Sequence, residues 1–563
     1  MKWTPIADPN PSAVADVQSA LQIPEVIARL LVQRGISDYE TAKDFFRPDF
    51  NHLHDPFLMR GMDKAVQRIQ QALHTEESVM VYGDYDVDGT TAVALVYSYL
   101  REKTQAIKAY IPDRYEEGYG VSKKGIDTAK AAGISLIIAL DCGIKAMKWV
   151  TYAKSLGIDF IIGDHHLPDT TLPEAVAILN PKQADCTYPY KELCGCGIGF
   201  KLIQALHHTE NKPVQELRKY LDLVATATAA DIVPLTGENR VLLFLGLKQM
   251  EEAPRVGLSF FLTHIKKPLQ VSDLVFKIAP RINAAGRMQH GLTAVQLLTV
   301  DTKEAAQPKA HAIETYNAQR KEVEEQITHE ALAQIEQERT DRCTSVVFQP
   351  NWHKGVVGIV ASRLIEHHYR PTVVLAQSGE LLAGSVRSVR GFDVHQALES
   401  CKSYLKQFGG HAFAAGVTLE HHQLDAFKDA FEKAVYDTIS EDMKERSQLY
   451  DAEIQFDVIT QKVYRILKQM APFGPRNMTP VFKTSGCRDT GNSRAVGSDK
   501  SHLKLAVIDP NGTPMEGIGF GLAHHAEKIH QQKPFTLFYS IDENEFNGKV
   551  SLQLKVRDIC FEE

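Results

Sequence analysis

Residues 81–91 read VYGDYDVDGTT. An apolar run ends in this stretch, and three aspartates follow it at alternate positions, Asp84, Asp86 and Asp88. From there to about residue 103, apolar residues recur at helical spacing. A short apolar run followed by such a stretch is typical of a buried strand that leads into a helix. The motif therefore predicts a strand–loop–helix unit that carries acidic side chains at the carboxyl end of the strand.

The same arrangement recurs along the chain. Apolar runs stand at VMVYG (79–83), SLIIAL (135–140) and DFIIG (159–163). The second run is followed by AMKWVTYAKSLG (146–157), whose final glycine is typical of a helix C-terminus. Buried strands that alternate with helices indicate a parallel sheet covered by helices, which is an α/β fold.

Residues 301–341 contain few glycines and carry a helical repeat of apolar residues. The repeat consists of Tyr316, Val323, Ile327, Ala331 and Ile335. It predicts one long helix that connects two domains, and the alternative is a solvated surface helix within a single domain. Strand-like runs return beyond it, at 344–349 and 371–376, which indicates a second α/β domain.

The last part of the chain, from about residue 450, has a β character. HLKLAVID (502–509) and KVSLQLKV (549–556) alternate apolar and polar residues, so that Val550, Leu552, Leu554 and Val556 share one face. Asn-Gly pairs at 511–512 and 547–548 are hairpin turn signals. We expect a small, partly or fully closed barrel, a type of fold that often binds single strands.

A chain of 563 residues is too long for one hydrophobic core. The changes in pattern predict four parts: an N-terminal segment with the first α/β domain (1–300), the connecting helix (301–341), the second α/β domain (342–445) and the barrel (446–563).

Composition bounds the function only loosely. The formal net charge of −7 argues against a chain coated in positive charge, but a phosphate-binding groove needs only local lysines and arginines. No run approaches 18 apolar residues, and the start, MKWTPIADPNPS, lacks the apolar core of a secretory signal. We therefore expect a cytoplasmic protein with no membrane segment. The eight cysteines are scattered, which suits a reducing compartment. Cys186, Cys194 and Cys196 could hint at zinc, but their spacing favours buried thiols.

Further acidic and imidazole groups follow the other apolar runs. Asp141 follows the second run, the triplet Asp164-His165-His166 follows the third, and Asp231 follows the apolar stretch ATATAA. Because parallel strands present their carboxyl ends at one sheet edge, we expect these groups and the first three aspartates to lie together. Crowded carboxylates repel one another unless a cation neutralises them. Mixed carboxylate and imidazole ligation suits Mn²⁺, with Mg²⁺ plausible and Zn²⁺ less so. The number of ligands favours two ions, the arrangement that hydrolyses phosphodiesters.

The aspartates could instead form a calcium loop or cap helices. A calcium loop of the EF-hand type needs Glu at its twelfth position, which counted from Asp84 is Leu95. Single aspartates at strand ends are often helix N-caps, but matching caps on every segment would be a rare coincidence. A catalytic metal cluster is the favoured interpretation.

The motifs DYDVDG, DCG, GDHH and ADIVPL resemble, in order and spacing, those of the DHH phosphoesterase superfamily. FGGHAFAAG (408–416) resembles the glycine-rich signature of the DHH-associated second domain. IPDRYEEGYG (111–120), RINAAGRM (281–288), GVVGIVASRL (355–364) and GSVRS (384–388) are similar to stretches of the superfamily's bacterial single-stranded-DNA exonucleases.

The resemblance implies a fold and an activity. The fold would be a parallel-sheet DHH domain, a connecting helix, a DHH-associated domain and an OB-like barrel. The activity would be two-metal hydrolysis of single-stranded DNA from the 5′ end, releasing 5′-mononucleotides in DNA repair and recombination. The metal ligands would be Asp86, Asp88, Asp141, His165 and Asp231. The catalytic residues completing the site would be Asp84, His166 and His411.

Five further residues are implied as substrate-binding. Arg114, Ser385 and Arg387 match the family's 5′-phosphate pocket. Guanidinium groups suit such a pocket because they bind phosphate bidentately. Arg281 and Arg287 would hold the backbone of the strand. One departure concerns the first ion, because many relatives carry His where this chain has Tyr82.

Partners and rival functions complete the expectations. The substrate would be single-stranded DNA, candidate protein partners are a single-stranded-DNA-binding protein and a RecQ-type helicase, and we expect a monomer. The alternative function is a DHH phosphodiesterase acting on small oligonucleotides or cyclic dinucleotides, and the predicted barrel argues against it. A non-catalytic binding module is disfavoured because every motif keeps its acid.

Overall fold

In the computed structural model, which describes residues 2–337 and 342–561, the strand that ends in VYG belongs to a five-stranded, all-parallel sheet. The order of its strands is Ile107–Tyr110, Val79–Gly83, Leu136–Leu140, Asp159–Gly163 and Ala177–Leu179. The three strands predicted from apolar runs are therefore confirmed. Val79–Gly83 and Leu136–Leu140 have every residue buried, as expected of a sheet covered on both faces.

The helix after the first strand, Val87–Leu100, begins three residues earlier than residue 90, where the apolar repeat starts. Asp86 is its N-cap, and the Asp86 side chain accepts a hydrogen bond of 3.1 Å from the backbone N–H of Gly89. Asp88 therefore lies in the first helical turn rather than in a loop. The predicted helix at 146–157 is confirmed as Met147–Ser155, and it ends before Gly157, whose φ is +74°.

Further α-helices of eight or more residues lie between residues 55 and 337. They are Met62–His74, Lys123–Ala131, Gly195–Thr209, Leu221–Ala230, Gly237–Glu252, Ala279–Met288 and Lys303–Gln337.

The helix Lys303–Gln337 is the predicted connecting helix, and its last predicted residues, 338–341, lie outside the described part of the chain. It contacts Arg281 through Glu314 near its start and Arg363 through Glu324 further along, so it joins the first sheet's domain to the second. Ile327, Ala331 and Ile335 are buried as the apolar repeat predicts.

The N-terminal half of that helix differs from the prediction. Ala306, Ala310 and Ile313 are buried near its start, but Tyr316 and Val323 are only partly buried, and the buried positions around these two are Asn317, Arg320 and Glu324. Hydrophobic periodicity cannot detect this face, because polar groups that bond to one another occupy it.

The second α/β domain contains a mixed five-stranded sheet. Its strand order is Gln407–His411, Ala414–Glu420, Leu381–Arg387, Thr372–Ser378 and Ser345–Gln349, and only the last pair is parallel. One face packs against the helix Leu424–Tyr436. The other face packs, at its Ser345–Gln349 side, against Val357–His367 and the connecting helix.

The C-terminal sheet is a partly closed barrel of the OB type. Its seven strands run in the order Ala452–Glu453, Phe482–Asp489, Phe535–Phe546, Lys549–Phe561, Pro514–Gly519, His502–Ile508 and Arg494–Val496. Strand Phe482–Asp489 also pairs with His502–Ile508, which closes the sheet on itself. Both Asn-Gly turns are confirmed, since the strands on either side of each pair antiparallel.

The apolar face of the last strand is buried along only part of its length. Leu554 and Val556 are buried as expected, but Val550 is 56% exposed. Residues 549–553 pair only with strand Phe535–Phe546, so the tip of this hairpin extends past the neighbouring strands and has no sheet face to cover it.

The described chain groups into two compact units. One consists of residues 55–231 and 246–446, and the other of residues 2–54, 232–245 and 447–561. In the second unit, the helices Pro11–Leu21, Glu25–Gln33 and Tyr39–Phe46 share a hydrophobic core with the barrel strands. This grouping differs from the predicted 1–300 part, which placed the N-terminal segment with the first sheet, and the four-part division stays a prediction. Within the described residues, no helix is both long and apolar enough to cross a membrane.

Candidate metal and phosphate site

Three neighbouring strands of the parallel sheet end in register. Gly83 pairs with Leu140, and Leu140 pairs with Gly163. The next residues along the chain, Asp84, Asp141 and Asp164, therefore leave the same edge of the sheet side by side. This confirms that the first, second and third segments bring their acidic groups together.

The closest contacts in the cluster centre on one imidazole. His165 Nε2 lies 3.2 Å from Asp141 Oδ1, 3.7 Å from Asp231 Oδ2 and 3.9 Å from Asp88 Oδ2. Burial lowers the pKa of His165 to about 4, despite the nearby carboxylates. The imidazole is therefore neutral near pH 7 and can offer a lone pair to a cation. We call Asp84, Asp86, Asp88, Asp141, His165 and Asp231 the acidic cluster.

Asp88 is held in place by the start of another helix. Its two carboxylate oxygens accept hydrogen bonds from the backbone N–H groups of Gly195 and Cys196, at 2.6 and 2.7 Å. These are the first residues of helix Gly195–Thr209, where free N–H groups favour an anion. A Cβ atom at Gly195 would stand 2.5 Å from Cβ of Asp141, so this position admits only glycine if both aspartates are to stay in place.

The expectation that all segments end at one sheet edge is wrong for Asp231. The apolar stretch before it is the helix Leu221–Ala230, and Asp231 is the residue that caps its C-terminus. Alternating small and β-branched residues in ATATAA do not distinguish a helix from a strand, and the buried side chains all around this helix mask its period. Asp231 still reaches the cluster, but from a helix.

Burial raises the pKa values of four cluster carboxyls, and the charge of Asp86 adds to this effect at each of them. They are Asp84, whose pKa rises to about 8, and Asp88, Asp141 and Asp231. Three buried oxygens of these four carboxyls accept no hydrogen bond from the described residues: Asp84 Oδ2, Asp141 Oδ1 and Asp231 Oδ2.

Buried acceptors without donors are costly, and a cation would satisfy them together. Two overlapping groups have ligand atoms close enough for one ion each: Asp88, His165 and Asp231, and Asp141, His165 and His166. Carboxylate oxygens with imidazole nitrogens form a donor set that suits Mn²⁺ or Mg²⁺. The residues present therefore fit a divalent-metal centre. No cysteine belongs to either group, and Cys186, Cys194 and Cys196 are buried free thiols, as the sequence favoured.

His166 lies at the side of the cluster and has its own partners. Its Nδ1 atom lies 2.7 Å from Asp164 Oδ1, and Tyr119 Oη lies 3.4 Å from its Nε2 atom. Burial lowers the pKa of His166, but the hydrogen bond to Asp164 and the charges of Asp164, Asp88 and Asp86 together outweigh this, so the net shift is upward. Burial likewise raises the pKa of Asp164, and His166 with the backbone N–H of Ile144 brings it below its usual value.

Tyr82 does not replace the histidine of relatives as a ligand. Its hydroxyl donates to the carbonyl oxygen of Gly120 at 2.9 Å and accepts from the backbone N–H of Ser122 at 3.3 Å. Its ring is stacked on Tyr110 within the hydrophobic core. Asp84, two residues after Tyr82, is the buried carboxyl that this segment contributes to the acidic cluster.

A group of arginines lies next to the acidic cluster. The Arg114 guanidinium stacks on the ring of Tyr85, 3.8 Å from its centroid, and Arg114 Nε donates to the carbonyl of Gly286. Arg287 Nη1 donates to the carbonyl of Gly355 at 2.8 Å. Burial, and then the positive charges of Arg114 and Arg387, lower the pKa of Arg287 to about 10. We call Arg114, Arg287 and Arg387 the arginine group; their mutual repulsion is typical of a site that binds an anion.

Ser385 and Arg387 complete this group from the second sheet. Arg387 Nη1 donates to Ser385 Oγ at 2.7 Å. A Cβ atom at Gly358, in the first turn of helix Val357–His367, would stand 2.9 Å from Arg387 Nη2 and 3.1 Å from Ser385 Oγ. Glycine at this position therefore leaves the space in which the serine and the arginine lie against the start of the helix.

His411 shares a sheet face with Arg387. His411 pairs with Ala414, and Ala414 pairs with Arg387, so the three form one row across adjacent strands. Two strand spacings separate the outer members by about 10 Å. Burial, and then the nearby charges of His166 and Lys145, lower the pKa of His411. Gly409 and Gly416 form the next row on this face with Ser385, and both glycines are exposed.

Arg281 is the one predicted site residue whose contacts lead elsewhere. Its Nε atom lies 2.7 Å from Glu314 Oε1, and its Nη1 atom bonds the carbonyl oxygen of Lys277. The guanidinium also lies over the ring of Phe261. Arg281 is thus paired with an acid on the connecting helix, unlike Arg287 on the same helical segment.

Sequence reasoning missed several residues that build the site. Asp164 was expected only as part of its triplet, yet it orients His166. Tyr119 contacts both the backbone of Asp141 and His166, and Asn180 donates to the carbonyl of His166 at 2.8 Å. The motif IPDRYEEGYG contains Tyr119, so the signal was present; nothing in the pattern around Asn180 distinguishes it from a turn residue.

Three family models match the chain: the DHH family, N-terminal domain (residues 78–228), the DHHA1 domain (341–437) and the RecJ OB domain (450–558). The chain is 35% identical to the single-stranded-DNA-specific exonuclease RecJ of Bacillus subtilis, over 100% of this chain and 71% of the relative. It is 34% identical to the Escherichia coli exonuclease of the same name, with 96% of each chain covered. The crystal structure of RecJ from Thermus thermophilus in complex with Mn²⁺ superposes with a TM-score of 0.86 at 26% identity, covering 100% of this chain and 80% of that one, and an Mg²⁺ complex also matches. The chain therefore belongs to the RecJ family of DHH proteins.

Proposed function

We propose that this protein is a metal-dependent exonuclease that hydrolyses single-stranded DNA from the 5′ end and releases 5′-mononucleotides. The observation that carries the proposal is that two different sites lie next to each other. One is a buried acidic cluster with unsatisfied oxygens. The other is the arginine group, whose members donate to backbone carbonyl oxygens and to the Ser385 hydroxyl. The first fits divalent cations and the second fits a phosphate, and the RecJ relatives are named single-stranded-DNA-specific exonucleases.

The cofactors are divalent cations, Mn²⁺ or Mg²⁺, and we propose two of them. Asp86, Asp88, Asp141, His165 and Asp231 would hold the ions; His165 belongs to both groups of close ligand atoms, and Asp141 and Asp231 approach it at 3.2 and 3.7 Å. Bound there, the ions supply the Lewis acidity that activates water and stabilises the leaving oxygen of a phosphodiester. Asp84 completes the shell on the side where Tyr82 is turned into the core.

The chain's own residues would orient the substrate and handle protons. His166, held by Asp164, keeps a proton to higher pH than a free histidine and can donate it near the scissile phosphate. His411 faces the same place from the second sheet. The hydrophobic walls below the cluster exclude bulk water, which strengthens these electrostatic contacts.

End dependence follows from the arginine group. A terminal phosphate carries one more negative charge than an internal one, so Arg114, Arg387 and Ser385 bind it preferentially. Once it is bound, the next phosphodiester lies over the acidic cluster. Arg287 would contact the same phosphate or the strand beyond it; for Arg281 we propose a minor role in holding the backbone, since Glu314 competes for it.

The rival functions are less well supported. A phosphodiesterase of small oligonucleotides or cyclic dinucleotides has no need of the barrel that matches the RecJ OB domain. A non-catalytic module does not require a buried cluster of raised-pKa carboxyls.

Several finer features belong to the same proposal. We propose that the protein acts in DNA repair and recombination as a cytoplasmic monomer. Its partners would be a single-stranded-DNA-binding protein and a RecQ-type helicase, which expose and supply the strand. We also propose four parts of the chain: an N-terminal segment with the DHH domain (1–300), a connecting helix (301–341), a DHH-associated domain (342–445) and a barrel (446–563).

The deciding experiment is digestion of single strands labelled at either end, with a 5′ phosphate or a 5′ hydroxyl, in Mn²⁺, Mg²⁺ or EDTA. We expect mononucleotides from the 5′ end, faster with the phosphate, and no digestion in EDTA. Release of the 3′ label first would contradict the polarity. Equal activity on a dinucleotide and a long strand would favour the small-oligonucleotide function.

A further inference from the structure

The turn of the glycine-rich hairpin carries an exposed aromatic ring. Strands Gln407–His411 and Ala414–Glu420 are joined by Ala412 and Phe413 alone, and Phe413 is 67% exposed. The resemblance assigns a role to His411 in this hairpin, whereas Phe413 takes no part in the proposed metal and phosphate chemistry. A large exposed ring at a fixed position beside a reaction centre is a candidate binding surface.

The backbone of this turn is fixed rather than loose. Ser388 N–H donates to the carbonyl oxygen of Phe413 at 3.0 Å, and Val394 N–H donates to that of Ala412 at 3.0 Å. Both donors follow the strand Leu381–Arg387, which carries Ser385 and Arg387. The turn is thus tied to the segment that presents the proposed phosphate ligands.

Phe413 is also close to His411 along the chain. It lies two residues after His411, so their Cα atoms are at most about 7 Å apart. The His411 imidazole is near enough to His166 for the charge of His166 to lower its pKa. On the other side, Ala414 pairs directly with Arg387. Phe413 therefore lies within two residues of His411, the group proposed to face the scissile phosphate, and next to Ala414, the pairing partner of Arg387.

A nuclease that cuts every sequence needs contacts that all bases can make. Stacking on an aromatic ring is such a contact, because each base presents a π-face, and it is available only when the base is not already stacked in a duplex. We propose that the Phe413 ring stacks on one of the two nucleobases that flank the scissile phosphodiester. This inference rests on the proposed function, and it adds a base-binding residue selective for unpaired strands.

The test combines variants of Phe413 with single abasic sites. 5′-phosphorylated strands carry a tetrahydrofuran residue in place of the first, second, third or eighth nucleotide. For the unmodified protein in Mn²⁺ we expect kcat/KM to fall about tenfold at one of the first two positions, within the range of base–aromatic stacking. Phe413→Ala should lower kcat/KM on intact DNA by a similar factor and lose the sensitivity at that position. Phe413→Trp should retain both, and Phe413→Leu should resemble the alanine variant.

Tyr436→Ala is the matched control. Tyr436 is 66% exposed in the same domain, but its helix packs on the opposite sheet face. We expect this variant to behave as the unmodified protein. Sensitivity to the abasic site that persists in Phe413→Ala would overturn the inference, as would indifference of the unmodified protein to abasic sites at both of the first two positions.

A second measurement separates this inference from the nuclease proposal. A strand with 2-aminopurine at the same position is titrated with protein in EDTA, where no hydrolysis occurs. Stacking on Phe413 should quench the fluorescence, and Phe413→Ala should abolish the quenching. Quenching without hydrolysis in any metal would leave the inference standing and remove the proposed activity; hydrolysis without Phe413-dependent quenching would do the reverse.

Discussion

The Nε2 atom of His165 lies 3.2 Å from Oδ1 of Asp141, a buried oxygen that accepts no hydrogen bond in the described protein. The imidazole is neutral near pH 7 because burial lowers its pKa to about 4. A cation between them would bind both the lone pair of His165 Nε2 and the unsatisfied Oδ1 atom of Asp141. This pair is the centre of the proposed metal site.

Replacing Asp141 tests that centre. Asp141→Asn should lower metal-dependent hydrolysis by more than about 100-fold, because loss of a direct ligand exceeds the effect of losing an outer hydrogen bond. In EDTA, the same variant should unfold at an equal or higher temperature than the unmodified protein, since a buried carboxyl with a raised pKa is replaced by a neutral amide. Thermal unfolding with and without Mn²⁺ measures both effects. Full activity, or an unchanged stabilisation by Mn²⁺, would contradict the assignment.

The stability of the metal-free protein should depend on pH through Asp84. Its pKa is about 8 in the folded state and near 4 in an unfolded chain, so between these values the folded state holds a proton that the unfolded state has lost. The free energy of unfolding contributed by this group therefore falls as pH rises from about 4 to about 8. Urea unfolding in EDTA across this range measures the slope, and Asp84→Asn should make it shallower. A slope unaffected by that substitution would show that Asp84 ionises normally.

Asp164 should control the titration of His166. Its carboxylate lies 2.7 Å from His166 Nδ1 and is the main cause that raises the imidazole pKa against burial. Asp164→Asn should therefore lower the pKa of His166, and the stabilisation that the charged pair provides at low pH should disappear. Histidine NMR signals of the metal-free protein report the pKa directly, and the limb of the pH–rate profile that depends on His166 should move to lower pH. In His166→Gln, the NMR signal of His166 and the limb of the pH–rate profile that depends on it should both be absent, which identifies them.

The arginines should separate into two classes. Arg387→Gln should reduce the preference for a 5′ phosphate over a 5′ hydroxyl at least about tenfold, because charge-assisted bonds to a phosphate contribute roughly 1.5–3 kcal/mol each. Arg281→Gln should leave that preference unchanged, because Glu314 already binds this guanidinium. The ratio of kcat/KM on the two strands is the measurement. Equal losses in both variants would mean that Arg281 belongs to the phosphate pocket.

Truncation should show that the helices within residues 2–54 depend on the barrel for their core. Removing residues 447–563 would strip the buried side chains Ile27, Leu30 and Leu31 of the barrel core that they share. We expect this truncated protein to aggregate more than one that lacks residues 2–54 as well, because the shorter of the two proteins exposes less apolar surface. Light scattering at equal concentration compares them. A monomeric, soluble protein lacking only 447–563 would contradict this account.

Much of the site could be read from the sequence because its parts follow strand ends. A parallel sheet brings such positions together whatever the intervening residues are, so Asp84, Asp141 and His165 were predictable neighbours. Asp231 was predicted as a cluster member but placed on the wrong element, because its helix is buried on all sides and has no polar face.

The missing parts depend on packing that leaves no local pattern. The core position of Tyr82, the pairing of Arg281 with Glu314 and the polar face around Arg320 each join residues that are distant in the chain or hidden from hydrophobic periodicity. The grouping of residues 2–54 with the barrel has the same cause, since amphipathic helices do not specify which core they cover.

The row His411–Ala414–Arg387 has a consequence for the length of the product. On the proposed roles, its two ends hold the phosphates on either side of the nucleotide to be released, and main-chain hydrogen bonds between strands set the interval. The distance between the backbone positions of His411 and Arg387 is therefore fixed, and no side-chain substitution can alter it. Only a slip in strand register could change it, and a slip of one residue in either outer strand would turn the functional side chain of that strand to the opposite face. The spacing of the main chains, rather than any side chain, would therefore set the length of the released product.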